Sequence, residues 1–342
     1  MSELSPKERL LRTLRKQSVD RPPVICTGGM MNAAIVPVME KTGQVLPEAH
    51  TDATRMTALA DAVYAETGFE NFGIPFCMTI EAEVLGSEIA LGTLACEPKV
   101  VKERFASVNQ VERFDVKNML SRGRVGVVVG AAEKLARRQP DVPIIGSLTG
   151  PISTAASLVD PLTFLKELRR ERDNAHRVLE AVSSFLIEYA RALLAHGAAA
   201  ICIGDPTATG EILGPAMFQD YAVPYLNRIA DALHRENGVV IVHICGDMKR
   251  VKHLLPQIHS DAISTDALVN LRALKDEYPQ LTVMGNLSTY LLQWSATEKI
   301  AERTRQLAKE RIDIISPACG LSTSTPLRNI QTMTSAVKES QA

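Results

Sequence analysis

The sequence predicts an α/β protein of the (β/α)8 TIM-barrel class, and three observations point there. Short β-rich runs alternate with longer helical patterns along the whole chain, eight runs in all, most of them followed by a helix. The runs are continuously apolar, the mark of parallel strands covered on both faces. No Gly-x-Gly-x-x-Gly fingerprint opens any strand–helix unit, which counts against a doubly wound dinucleotide-binding sheet. A chain of 342 residues suits one such barrel, and 1–342 reads as a single domain.

The elements follow in order. Pro6 to Gln17 forms an amphipathic helix with Leu10, Leu11 and Leu14 on one face. Ser5 is its N-cap, and Pro6 sits at the first helical position, where a missing N–H costs nothing. Asp20-Arg21-Pro22-Pro23 breaks the pattern. Strand one is Pro23–Cys26, followed by the loop Thr27-Gly28-Gly29-Met30-Met31-Asn32 and helices over 33–42 and 52–66. Strand two is 69–73. An irregular insertion over 76–115 follows it, with strand-like pieces at Glu88–Ala90 and Lys99–Lys102. A helix at 123–138 leads to strand three, Val142–Ser147, then to helices at 161–170 and 172–196. In the second of these, Val178, Leu179, Val182, Phe185, Leu186, Tyr189 and Leu193 recur at helical spacing. Strand four is Ala199–Ile203 with a helix at 215–236, and strand five is Val239–Ile244 with a helix at 248–256. Strands six (Ala262–Ser264), seven (Leu281–Met284) and eight (Ile312–Ile315) precede helices at 270–276, 297–309 and 326–338.

Composition removes several function classes. Thirty-eight Lys and Arg against 39 Asp and Glu leave a net charge of -1, so no basic surface for nucleic acid is expected. Aromatics are 4% with one Trp, Trp294, which argues against a stacking platform. No apolar run reaches the ~18 residues that a membrane span needs. The N-terminus is charged from its start and lacks the apolar region of a secretory signal. A cytoplasmic protein with reduced thiols is expected, so its six cysteines are core residues, nucleophiles or metal ligands.

Barrel chemistry sits where strands end. Strand five ends in His243-Ile244-Cys245-Gly246-Asp247, and strand eight leads to Ser316-Pro317-Ala318-Cys319-Gly320. His243 and Cys245 are two apart, so their side chains leave the strand on the same side. Cys319 comes to the same rim. One imidazole and two thiolates form a zinc set, and three protein ligands leave the fourth tetrahedral position open, as in catalytic sites. Two anionic sulfurs weaken zinc as an acidifier of water but suit it to hold a substrate thiol as a nucleophilic thiolate. Alkyl transfer to sulfur follows from that, with hydrolysis as the blander zinc reading. Cys26 and Cys202 lie within apolar strands and read as core. Cys77 is near the rim, and Cys96 has no partner in the pattern. His50, His176, His196, His234, His253 and His259 fall on helical or loop patterns and read as solvated or capping residues. Met30 and Met31 read first as core, or as a soft wall beside the thiol.

Asp-Arg-Pro-Pro-Val at 20–24, Gly-Asp-Pro at 204–206, His-Ile-Cys-Gly at 243–246 and Pro-Ala-Cys-Gly at 317–320 together resemble the uroporphyrinogen decarboxylase superfamily. The closer likeness is to its zinc branch, the methylcobamide:coenzyme M methyltransferases. The resemblance runs over nearly the whole chain, and it implies a (β/α)8 barrel with zinc on His243, Cys245 and Cys319. It also implies transfer of a methyl group from a methylated corrinoid protein, or from free methylcobalamin, to coenzyme M held as a thiolate on that zinc. Variants within the resemblance use tetrahydrofolate as acceptor, or move an epoxide-derived alkyl group to a thiol. A non-catalytic barrel that binds a corrinoid or tetrapyrrole is the non-enzyme alternative. The Asp-x-His-x-x-Gly corrinoid-binding signature is missing from the sequence, so any cobalamin arrives on a partner or free. Glu81, Asp205 and Asp266 are then candidates to position substrate or to support the zinc ligands, and Glu81 could fill the open zinc position. Gly28 and Gly29 could bring backbone amides to an anionic group, and Asn286 could hydrogen-bond the substrate. The plain alternatives are rim carboxylates paired locally, a tight turn and a cap.

Overall fold

The computed structural model describes residues 3–112 and 114–340. Seven parallel strands form one curled sheet in the order β1 (Phe72–Ile74), β4 (Ile144–Thr149), β5 (Ala200–Gly204), β6 (Val240–Ile244), β7 (Ala262–Thr265), β8 (Val283–Leu287) and β9 (Ile314–Pro317). The remaining two, β2 (Glu88–Ala90) and β3 (Lys99–Lys102), pair antiparallel inside the insertion after β1, where the sequence placed its strand-like pieces. Every residue of β4, β6, β7, β8 and β9 is buried, as continuous apolar runs require.

The predicted first strand, Pro23–Cys26, joins the two edges of this sheet. Val24 bridges Ile315 in parallel, the Ile25 N–H donates to the Ile315 carbonyl at 3.0 Å, and the Ile315 N–H donates to Pro23 at 2.9 Å. Toward β1 a side chain replaces part of the ladder. The Cys26 N–H donates to Asn71 Oδ1 at 2.9 Å, and Asn71 Nδ2 donates to the Cys26 carbonyl at 2.8 Å. Strand two therefore begins at Phe72, three residues later than the sequence pattern suggested, because Asn71 is spent on closing the ring.

The barrel interior is packed by Ile25, Ile145, Ala200, Cys202, Ile241, Ala262, Met284 and Ile314. Leu10 and Leu14 of the first helix, Pro6–Leu14, belong to the same cluster, so this helix plugs the end of the barrel where the strands begin. Its start is as predicted: Ser5 accepts from the Glu8 N–H, and Pro6 opens the first turn. Arg9, almost wholly buried, fixes the plug through Asp20 (2.7 Å) and Glu70 (2.8 Å). Glu70 also accepts from Arg21 and from the Val24 N–H at 3.0 Å, which ties the plug to the closing strand.

Other helices depart from expectation where proline intervenes. The predicted 215–236 helix is Gly214–Met217, a wide turn at Phe218–Ala222, and then Val223–His234. Pro224 cannot donate to the carbonyl four residues back, and the widened turn absorbs that. The predicted 248–256 helix is only a tight turn, Lys252–Gln257, containing Pro256. Short helices at Ile80–Val84, Pro151–Ala155 and Thr289–Trp294 follow β1, β4 and β8 and had no sequence counterpart. No helix among the described residues is long and apolar enough to cross a membrane.

Candidate metal centre

β6 carries His243 into the barrel mouth, fully buried, and the chain turns out at Cys245. β9 ends at Pro317, and Cys319 follows two residues later. The ligand atoms of His243, Cys245 and Cys319 all lie within 4.8 Å of one another. His243 Nε2 is 3.1 Å from Cys245 Sγ, and the two sulfurs are 3.1 Å apart. The other ring nitrogen, Nδ1, is 2.9 Å from Ser264 Oγ. Ser264 is the residue that faces His243 in the parallel register of β6 and β7. With the proton assigned to Nδ1 and donated to Ser264, Nε2 presents its lone pair to the sulfurs.

The two thiols are electrically unequal. Cys319 is held well below the usual thiol range, first by its hydrogen bond with Cys245 and then by the neighbouring His243 ring. Cys245 is pushed up by the same hydrogen bond and by burial. A soft divalent cation held by both sulfurs and Nε2 would displace the thiol protons, and the donor set of one nitrogen and two sulfurs fits zinc. Met30 Sδ lies 3.9 Å from Cys245 Sγ, so the residue after the Gly-Gly turn stands against the cluster.

The other predicted residues are distributed more widely. Glu81, on the helix Ile80–Val84, is buried and committed to Thr149: Oε1 accepts its N–H at 2.8 Å and Oε2 its hydroxyl at 2.9 Å. Burial raises its pKa, and the bonds from Thr149 act against that rise. It is not one of the three residues that converge. Asp205 is fully buried and caps the helix Pro151–Ala155, taking the Ile152 N–H at 3.0 Å and the Ser153 N–H at 2.8 Å. Burial pushes its carboxyl up to about 6. Asp266 is half-buried and accepts from the Leu268 N–H at 3.0 Å in a local turn, while its charge reaches Cys245. Asn286 Nδ2 donates to the carbonyls of Asp266 (2.9 Å) and Val269 (2.7 Å), so it braces the loop after β7.

Two expectations are corrected. The amides of Gly28 and Gly29 do not reach for an anion. They donate to the carbonyls of Met31 (3.1 Å) and Pro75 (2.6 Å). Glycine is needed at 28 because φ is +92° and a Cβ would stand 2.6 Å from the backbone of Gly73. His50 is neither solvated nor a cap: it is completely buried, and both ring nitrogens lack a partner among the described residues. Burial lowers its pKa to about 4, with Arg124 adding to the effect. Arg124 was missed by the sequence reading. It is buried and bonds Thr79 (2.8 Å), Cys77 (3.3 Å) and Glu83. Ser264 was missed as well, because its place opposite His243 depends on the register of β6 against β7. Cys26 and Cys202 are buried, as expected, and all six cysteines are free thiols.

Known proteins resemble this chain over nearly its whole length. The uroporphyrinogen decarboxylase (URO-D) family profile matches residues 5–340. The methylcobamide:CoM methyltransferase MtbA of Methanosarcina acetivorans is 34% identical over 340 residues, covering 99% of both chains. The methylcobamide:CoM methyltransferase MtaA of Methanosarcina barkeri is 30% identical over 344 residues, again 99% of both. Among solved structures, a methyltransferase from Methanosarcina mazei superposes with a TM-score of 0.92 at 29% identity, covering 98% of this chain and 99% of that one.

Proposed function

The chain belongs to the uroporphyrinogen decarboxylase family, and from that footing we propose that it moves a methyl group from a methylated corrinoid to a thiol acceptor of the coenzyme M type, using zinc on His243, Cys245 and Cys319. The convergence of one imidazole nitrogen and two sulfurs within 4.8 Å at the mouth of the barrel carries this reading. The names of relatives similar over their full length agree with it. When bound, zinc in such a set supplies a Lewis acid electron-rich enough to keep a thiol deprotonated yet nucleophilic at neutral pH.

The chain's own residues prepare that position. Ser264 holds the His243 ring so that Nε2 faces the two sulfurs, and Cys245 and Cys319 supply both anionic donors. Met30 stands against the side of Cys245, its sulfur 3.9 Å away. Asp205 and Asn286 act one step away, by bracing the loops that follow β4 and β7. Glu81 sets Thr149 at the end of β4, and Asp266 adds negative charge beside Cys245.

The donor is a methyl-corrinoid protein or methylcobalamin itself. A carrier protein would dock over the mouth, where Leu268, Tyr290 and Trp294 stand 66%, 75% and 70% exposed on segments that follow β7 and β8. Exposed apolar groups around a site of this kind suit a transient partner. We assign residues 1–342 to one barrel domain working in the cytoplasm, where free thiols persist.

The test is to incubate zinc-replete protein with methyl-13C-labelled methylcobalamin and, separately, coenzyme M, other small thiols or tetrahydrofolate, and to identify the methylated product by NMR. A labelled thioether from a thiol supports the proposal. Label only on tetrahydrofolate replaces the acceptor, and no transfer to any acceptor overturns the reading.

A further inference from the structure

A cleft of about 840 Å³ lies at the other end of the barrel, bounded by the segments that lead into β8 and β9, the end of the first helix and the end of the last. Its lining carries six cations (Lys16, Arg21, Lys275, Arg305, Lys309 and Arg311) against two carboxylates, Asp313 and Glu339. Lys275 is paired with Asp313, and Arg21 is held by Glu70. Arg305 is 3.7 Å from Glu339 in an exposed pair. Among the described residues no carboxylate lies within ion-pair distance of Lys16, Lys309 or Arg311; Lys16 Nζ donates only to the Gln280 carbonyl at 2.7 Å. Apolar wall comes from Pro22, Leu281 and Ile312.

Backbone conformation singles out two of these cations. Lys16 (φ +56°) and Arg311 (φ +57°) are two of three described non-glycine residues in the left-handed region, and the third is Asn237, a type that tolerates it. Each follows a helix end with the same paired bonds. The Lys16 N–H donates to Thr13 and the Gln17 N–H to Arg12, while the Arg311 N–H donates to Ala308 and the Ile312 N–H to Leu307. That position normally takes glycine, and this chain uses Gly43 and Gly68 at two other helix ends. At two of the helix ends that open on the cleft a long cation stands instead, in a conformation that is unfavourable for it. Strain retained at two places around one cavity points to use of that cavity.

We infer that this cleft binds a phosphorylated small molecule of nucleotide size, its phosphates taken by Lys16, Lys309 and Arg311 and its less polar part lying against Pro22, Leu281 and Ile312. The volume matches a drug-sized ligand, and charge-assisted bonds from Lys and Arg suit phosphate oxygens. The inference is independent of the methyltransferase reading, because the cleft lies at the strand beginnings and His243 at the strand ends.

The experiment measures binding of ATP, ADP, pyrophosphate and adenosine to the full chain at low salt by calorimetry, in wild type and in a Lys16→Gly/Arg311→Gly variant. Glycine suits both backbone positions, so the variant should fold with an unchanged or raised melting temperature. The expected result is that ATP and ADP bind wild type, pyrophosphate binds more weakly, adenosine does not bind, and the variant loses at least tenfold in ATP affinity while methyl transfer from methylcobalamin is unaltered. Lys309→Glu should weaken ATP binding in the same direction. Absence of ATP and ADP binding to wild type, binding of adenosine as tight as that of ATP, or ATP affinity unchanged in a folded double-glycine variant would each overturn the inference.

Discussion

Ser264→Ala isolates the orientation of the candidate metal-binding histidine. In wild type Ser264 Oγ is 2.9 Å from His243 Nδ1, and both side chains are fully buried. Alanine removes the acceptor without filling or emptying the barrel mouth. When Nε2 serves as a metal ligand the proton must sit on Nδ1, where it would face no partner. An unsatisfied buried donor costs ~1–3 kcal/mol, and at 1.4 kcal/mol per decade this becomes roughly a 5- to 150-fold loss of zinc affinity. Partners that orient metal-binding histidines typically contribute about 10- to 100-fold. Metal-free protein escapes most of the penalty, because the ring can carry its proton on Nε2 toward Cys245 instead. The assay is competition for zinc against a chromophoric chelator, with thermal unfolding of the metal-free protein alongside. Zinc affinity within twofold of wild type, in a variant whose metal-free form melts normally, would refute the assignment of Ser264 and with it the ring orientation.

Three further outcomes are expected. Glu70→Gln should destabilise the protein by about 3–5 kcal/mol in denaturant titration, because Arg9 and Arg21 then share a neutral partner in a buried site. For His50 the sign is set by a ring held neutral by burial to about pH 4. The unfolded chain takes up that proton below about 6.5 and the native state does not. Stability contributed here is complete above pH 6.5 and falls by up to roughly 3 kcal/mol as the pH drops to 4. His50→Leu should flatten that slope when unfolding is compared at pH 7 and pH 5. Tyr290→Ala and Trp294→Ala should slow methyl transfer from a carrier-bound corrinoid several-fold yet leave the rate with free methylcobalamin unchanged; equal loss with both donors would remove these residues from the docking surface.

The barrel itself was legible because its strands are continuously apolar and its helices are capped by rules that act locally. Ser5 and Pro6 announced the first helix, and the runs that became β4, β5 and β6 matched to within a residue or two. Closure of the ring was only half legible. Pro23–Cys26 read as a strand, but the exchange of backbone bonds for the Asn71 amide depends on a contact 45 residues away. Proline 224 and proline 256 were visible, yet the helical periodicity around them outweighed them in a reading based on apolar spacing. The site followed the same division. The convergence of His243, Cys245 and Cys319 was legible because strand order fixes which residues share a rim. Ser264 needs the register of β6 against β7, which no periodicity gives. Gly28 and Gly29 were read for their freedom to approach a ligand, when the close approach is to Gly73 of the neighbouring strand. The commitments of Glu81 to Thr149 and of Asp205 to the helix Pro151–Ala155 likewise span more than fifty residues of sequence.

Zinc-edge X-ray absorption tests the central claim most directly, since it counts sulfur atoms around the metal. With His243, Cys245 and Cys319 as ligands, zinc-loaded protein should show two sulfur neighbours, falling to one in Cys245→Ser or Cys319→Ser, and rising from two to three when the acceptor thiol is added to wild type. A spectrum without two sulfurs, or one that the thiol leaves unchanged, would contradict it.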